Sequence, residues 1–260
     1  MSQQVQDQNK DSIIRELFKA GAHFGLARRR RHPSVSSFIF GFKNKTAIIN
    51  LEETVKSMVE ANKFVSDLAS EGKKVLFVGN KNEAQEIVRR FADSIDMPYV
   101  NERWIGGTFT NFPEIKKRVN RLLEIKDQEE KGELGKYTKK ERGVIAKEKK
   151  DLERYFEGII GMEKLPAAIV VIDSDAESIA VTEAKQRGVK IVALASSDCN
   201  INGIDYPVVA NDAQVSSITF FLKSITEAYK EGKKLQVAKE EIKAKEVKSE
   251  ETKVEKVEAN

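Results

Sequence analysis

The sequence predicts an α/β fold: a doubly wound, mostly parallel sheet with an inserted helical hairpin. Three observations predict it. Val75–Val78 is an apolar run of strand length without polar alternation, the mark of a strand buried on both faces, and Ala168–Ile172 and Lys190–Ala195 continue the series. Amphipathic helical stretches alternate with those runs, as helical crossovers between parallel strands require. The interval from Asn111 to Gly158 is far longer than the loops of about two to six residues usual in α/β units, so it needs structure of its own.

In chain order, residues 1–10 are polar and unpatterned, and Ile13, Ile14, Leu17 and Phe18 then recur at helical spacing behind the caps Asp11 and Ser12. After a basic loop, Phe38–Phe40 and Ala47–Ile49 read as extended segments around a polar turn through Lys43–Lys45. Val55, Met58, Val59, Val65 and Leu68 form one stripe of a helix from about Glu52 to Ser70, which Gly72 stops. Val75–Val78, the turn Gly79-Asn80 and a helix near 82–95 repeat the unit, and Tyr99-Val100 continues it. Ser174 and Glu177 have capping-box spacing ahead of a helix ending near Gly188. A short strand, Pro207–Val209, precedes a last helix from about Asp212 to Tyr229, with Asn211 as its cap.

Within the long interval, Asn111 and Glu114 suit the start of a helix carrying Ile115, Val119 and Leu122. Gly132 and Gly135 break it, and Thr138 with Glu141 forms a second capping box ahead of Ile145, Leu152, Tyr155 and Phe156. The interval therefore reads as a charged helical hairpin projecting from the sheet. From about Gly232 the chain alternates Lys, Glu, Val and Ala without aromatic residue, proline or cap, which suits disorder or a lone marginal helix better than a packed element.

Composition excludes several classes. The one cysteine, Cys199, rules out an intramolecular disulfide and, with only His23 and His32, a zinc site of Cys and His alone. A reduced, cytoplasmic setting fits. The N-terminus lacks the apolar core of a secretory signal, and no run approaches the roughly 20 apolar residues that cross a bilayer. A net charge of +4 says little about partners, so the distribution of charge must decide.

The sharpest electrostatic feature is the run Arg28, Arg29, Arg30, Arg31, followed by His32-Pro33. Arginine presents a planar fork that matches phosphate, and phosphate neutralisation releases counterions, so the run favours nucleic acid over the bland reading of a solvated cluster. Lys43 and Lys45 in the next turn, Arg89 and Arg90 on a helix, Arg103, and Lys116, Lys117, Arg118 and Arg121 on the hairpin complete the candidate RNA-binding set. A competing enzyme or small-molecule-sensor reading uses Asp173, Asp198, Asp205 and Asp212 at the carboxyl edge of the sheet, where open α/β sheets bind ligands. Caps and turns account for those carboxylates first. His23 and Cys199 lack catalytic partners in sequence, and neither a dinucleotide fingerprint nor a phosphate-binding loop ending in Gly-Lys-Ser/Thr is present. No catalytic residue, cofactor, metal, small-molecule substrate or membrane contact is expected. Paired glycines at Gly106-Gly107 permit a ligand loop, and Trp104 reads as an anchor rather than a stacking platform. A third reading makes the hairpin a protein-docking arm.

Ala22–Gly25, the basic loop ending at Pro33, Ile48–Leu51, Asn101–Asn111 and Ala180–Ala184 together resemble the ribosomal protein S2 family of the bacterial small subunit, over about Ile13 to Tyr229. The stretch Arg103-Trp104-Ile105-Gly106-Gly107-Thr108-Phe109-Thr110-Asn111 is the most specific part. The resemblance implies a flavodoxin-like domain with a protruding hairpin, docked on small-subunit ribosomal RNA, without enzymatic activity. It also implies neighbouring ribosomal proteins as partners, including the large multi-domain mRNA-binding one, and a place in the cytoplasmic ribosome. Leu26 stands where a second histidine is common and Arg31 where a tryptophan is common, so the basic loop is more cationic here. Ala213 replaces a common aspartate, which weighs against a metal site borrowing His23 and these positions. The organisation expected is a disordered N-terminus over 1–10, a discontinuous α/β RNA-binding domain over 11–111 and 159–230, the hairpin over 112–158, and a charged, disordered tail over 231–260.

Overall fold

The computed structural model describes the backbone of residues 2–258 and the side chains of residues 11–237. Helix α1 (Ser2–Lys19) starts ahead of the caps expected at Asp11 and Ser12, because no glycine or proline interrupts residues 2–10. Gly21, at φ +72°, turns the chain into strand β1 (Phe24–Ala27). Tight helical turns follow over Arg28–Arg30 and Pro33–Phe38, then strands β2 (Ile39–Lys43) and β3 (Thr46–Ile49). These strands form a separate antiparallel sheet in the order β1-β3-β2. Residues 24–27, read from sequence as part of a basic loop, are thus a strand, too short to carry a periodic signal. Asn44 and Lys45, both at positive φ, make the two-residue turn of the β2–β3 hairpin.

Asn50 accepts a hydrogen bond from the Glu52 amide (3.1 Å) and starts α2 (Leu51–Ser70), which Gly72 ends at φ +70°. Then follow β4 (Val75–Val78), α3 (Asn82–Asp93), β5 (Tyr99–Val100), α4 (Phe112–Glu130), α5 (Lys139–Phe156), β6 (Ala168–Ile172), α6 (Ser178–Arg187), β7 (Lys190–Ala195), β8 (Tyr206–Val209) and α7 (Val215–Glu258). The five later strands form a parallel sheet, β5-β4-β6-β7-β8. That order is flavodoxin-like, with its switch point between β4 and β6. Every residue of β4 and β6 is buried, as unalternating apolar runs demand. Val75, Phe77, Val170, Ile172, Val192 and Leu194 pack against α2, α3 and α7. Leu76, Val78, Ile169, Val171, Ile191 and Ala193 face the layer built from α4, α5 and α6.

The interval 112–158 is a helical hairpin, held antiparallel by Arg121–Glu148, Lys126–Glu153 and Lys149–Glu129 pairs. Thr138 and Glu141 form the expected capping box. Two other expected boxes do not form. Asn111 makes no side-chain cap, and Glu177 sends its carboxylate to the Asn80 amide (2.8 Å), leaving the Ser174 hydroxyl buried without a partner. Asn211 accepts from the Ala213 amide (3.0 Å), which orders the turn before α7 rather than capping it. The last helix runs well past the expected end at Tyr229. It is packed at Gly232, where a Cβ would come within 2.2 Å of the Ser66 carbonyl oxygen, so a glycine lets α7 pass close to α2. Of the alternatives left open for the tail, the backbone is helical to Glu258; side chains of 238–260 lie outside the described residues.

Candidate nucleic-acid interface

The basic residues meet because β1 and β2 flank β3. Arg28 donates its amide to the Lys45 carbonyl (2.9 Å), tying the arginine turn to the hairpin turn that carries Lys43 and Lys45. Arg28, Arg29, Arg30, Arg31, Lys43 and Lys45 are all exposed. The guanidinium groups of Arg28 and Arg31 lie 5.0 and 5.8 Å from the centre of the Phe42 ring, within cation–π range. No Asp or Glu occurs between Glu16 and Glu52, and among the described residues no carboxylate forms an ion pair with these six cations. Stacking on an apolar ring orients the arginines without neutralising them. His32 is half-buried and has a local task, its Nδ1 accepting from the Ser34 amide at 3.2 Å to cap the following turn.

The loop is fastened to the large sheet from below. Ser197, after β7, accepts from the Leu26 amide through Oγ (2.8 Å) and from the His32 amide through its carbonyl (2.9 Å). Gly25 is required there, because a Cβ would stand 2.9 Å from Ser197 Oγ and 3.2 Å from Ala47 Cβ. Val35, Ile49 and Val209 form a small buried cluster between the sheets.

The other candidate cations lie on other elements. Arg89 pairs with Asp93 (3.8 Å) and Arg90 covers the Phe91 ring (5.1 Å) on α3. Lys117 is held by Glu114 (2.6 Å) and Arg121 by two hydrogen bonds to Glu148 (3.1 and 3.2 Å) on the hairpin. Lys116 and Arg118 are exposed on α4, and Arg103 is exposed in the loop after β5. The hairpin cations thus divide between local pairs and solvent, unlike those of the small sheet.

The carboxyl edge of the large sheet, where an enzyme reading would look, is closed by the chain's own lysine. Lys81 Nζ, after β4, lies 2.5 Å from Asp173 and 2.8 Å from Asp212, carboxylates that follow β6 and β8. Burial works against the charge of Lys81, but its two carboxylate partners hold its pKa above the ordinary lysine value. Burial also pushes up Asp173, yet the bonds from Lys81 and the Ala176 and Asp175 amides bring it below the ordinary range. Asp212, more deeply buried, stays raised. Asp173, Asp212 and Cys199 come close enough to gather round a cation. The ammonium group of Lys81 already supplies a positive charge there, and burial, with the Asp173 charge adding to it, pushes the Cys199 thiol up to about 12. Asp198 is half-buried beside Cys199, and Asp205 pairs with Lys190 (2.6 Å) on the opposite end of β7. His23 is buried between Phe18 and Phe24, its Nδ1 without a hydrogen-bond partner, and burial lowers its pKa. Cys199 Sγ donates to Asp173 Oδ1 (3.4 Å), a carboxylate already paired with Lys81.

The glycine-paired segment after β5 is organised by Glu183 of α6. Its Oε1 accepts from the Gly107 amide (2.7 Å) and Trp104 Nε1 (3.4 Å), and its Oε2 from the Phe109 and Thr110 amides (2.9 and 3.2 Å). Gly107 has φ +96°, a backbone state open to glycine. Trp104 is buried, edge-on to Phe109 at 5.0 Å, and so is the anchor the sequence suggested. Glu183 carried no sequence signal of this role, since its partners lie more than 70 residues away.

The described residues thus form an α/β scaffold whose small sheet and its turns carry six exposed cations without an acidic partner. The sequence matches the family described as ribosomal protein S2 over residues 17–232. It is 38% identical over 227 residues to the small ribosomal subunit protein uS2 of Wolinella succinogenes, covering 87% of this chain and 84% of that protein. It is 40% identical over 220 residues to uS2 of Helicobacter hepaticus (85% and 83%), and 40% over 222 residues to uS2 of Helicobacter pylori strain J99 (85% and 84%). The chain belongs to the ribosomal protein S2 family, a family of structural ribosomal proteins rather than of enzymes. Among the described residues no helix is long and apolar enough to cross a membrane.

Proposed function

We propose that this chain binds small-subunit ribosomal RNA through Arg28–Arg31, Lys43 and Lys45, as a structural constituent of the cytoplasmic ribosome. The observation that carries this reading is the gathering of six exposed cations on one small sheet with no acidic partner among the described residues. Phosphates are the ligand such a surface lacks, and arginine forks suit them. Arg103, Lys116 and Arg118 extend the RNA-facing set, and Arg89, Arg90, Lys117 and Arg121 contribute once their local partners are exchanged for phosphate. The body over 11–111 and 159–230 and the first turns of the hairpin share the RNA surface, and the rest of the hairpin over 112–158 reaches neighbouring proteins, among them the large multi-domain mRNA-binding one. Exposed Leu123, Tyr137 and Val144, beside cations already paired within the hairpin, support a protein partner there. Gradient sedimentation of a tagged copy from lysate tests the proposal. Co-migration with small subunits at moderate salt is expected, and migration at the top of the gradient would contradict it.

A further inference from the structure

We propose that Phe40 is a stacking platform for an unpaired base of the bound RNA, with the arginines of the same sheet holding the adjacent phosphates. The inference rests on the RNA-binding reading above and names the kind of RNA the surface takes. The register of β2 against β3 passes from Ile39↔Ile49 to Gly41↔Ile48, so Phe40 is the extra residue of a β-bulge and has no cross-strand partner. Bulges re-aim a side chain, and here the result is a phenylalanine 81% exposed, the most exposed of the large hydrophobic residues described. A Cβ at the neighbouring Gly41 would meet nothing within 4 Å, so the surface beside the ring is open.

An aromatic ring so exposed loses by facing water unless something covers it, and its neighbours select what does. Phe42, two residues on, is the ring over which Arg28 and Arg31 sit. Lys43 and Lys45 follow, and no acidic residue lies anywhere from 17 to 51. A protein partner would have to bring apolar surface and compensating carboxylates together. A single-stranded nucleotide brings a π face and a phosphate in one unit, which is the combination that basic grooves with exposed aromatics accept. A base inside a duplex has its faces covered by its neighbours, so the bulged ring favours RNA with an unstacked nucleotide.

The test uses the full chain, a short oligouridylate and an RNA duplex of equal length. Phe40→Ala should weaken oligouridylate binding by about tenfold or more, leave duplex binding within about twofold, and leave the salt slope unchanged, because stacking releases no counterions. Phe40→Trp should keep the affinity and lose fluorescence on adding oligouridylate, over a constant background from the buried Trp104. Wild-type affinity in Phe40→Ala would overturn the proposal, as would equal losses for duplex and single strand. Intact RNA binding with loss of a co-sedimenting ribosomal protein would overturn it too, by making Phe40 a protein contact. Replacing Arg28–Arg31 by alanine separates the two levels: an unchanged salt slope there removes the RNA reading itself and this proposal with it.

Discussion

Removing the carboxylate of Glu183 should cost more than removing any surface charge, because one side chain holds a whole loop. Glu183→Ala leaves the amides of Gly107, Phe109 and Thr110 and the indole N–H of Trp104 without their acceptor, in a place where Phe109 is fully buried. An unsatisfied buried donor costs about 1 to 3 kcal/mol. Water can reach the half-buried Gly107 and Thr110, so the four donors together should cost about 3 to 5 kcal/mol, a large share of the 5 to 15 kcal/mol typical of a domain. Glu183→Gln keeps the shape and one acceptor oxygen and should cost about 1 to 2 kcal/mol. Burial raises this carboxyl, but the bonds from Gly107, Phe109 and Thr110 outweigh it and hold the pKa below the ordinary value. A depressed carboxyl stabilises the fold above its unfolded-state pKa, and that contribution is lost as pH falls through the folded-state one. Wild-type stability should therefore drop more steeply below about pH 4 than that of Glu183→Gln. Urea unfolding across pH measures both, as a lower midpoint with unchanged m. A loss under about 1 kcal/mol in Glu183→Ala, or parallel pH curves, would refute the assignment.

Two further predictions concern the carboxyl edge. Lys81→Met strands Asp173 and Asp212 against each other and should destabilise the fold by about 3 to 5 kcal/mol by urea unfolding, while Lys81→Met with Asp212→Asn should recover part of it. Burial pushes Glu177 up to about 7, the Asp173 charge adding to it and the Asn80 amide opposing. A raised carboxyl binds protons more tightly in the folded state, so wild-type stability should fall as pH rises from about 4.5 to 7. In Glu177→Gln that decline should flatten, with a gain of about 2 kcal/mol at pH 8. A decline of the same size in the variant would assign it to another group.

The large sheet was legible in sequence because its strands are buried on both faces and its helices are striped, two signals that local reading captures. The hairpin was legible from its length and from Thr138-Glu141. What local reading misjudged was competition between nearby and distant partners. Ser174 and Glu177 have the spacing of a capping box, yet Glu177 is claimed by Asn80 across the switch point. Caps and turns do account for Asp173, which accepts from the Asp175 and Ala176 amides, but local reading missed Lys81, more than 90 residues away, which pairs with it as well. The arginine run was found by composition alone, whereas its setting was not. Strand β1 is four residues long and the bulge at Phe40 is a matter of register, which depends on which strand lies alongside.

The central claim is that the cations of the small sheet meet phosphate, and the salt dependence of binding tests it without assuming any particular RNA site. Binding of wild type and of the Arg28–Arg31 alanine variant to small-subunit ribosomal RNA should be measured over a range of potassium concentrations. Each lost phosphate contact lowers the slope by about 0.7 to 0.9, so the variant's slope should be shallower by about 3 if all four arginines engage phosphate. Equal slopes for the two proteins would mean that these arginines face no phosphate, and the account of this surface would be wrong.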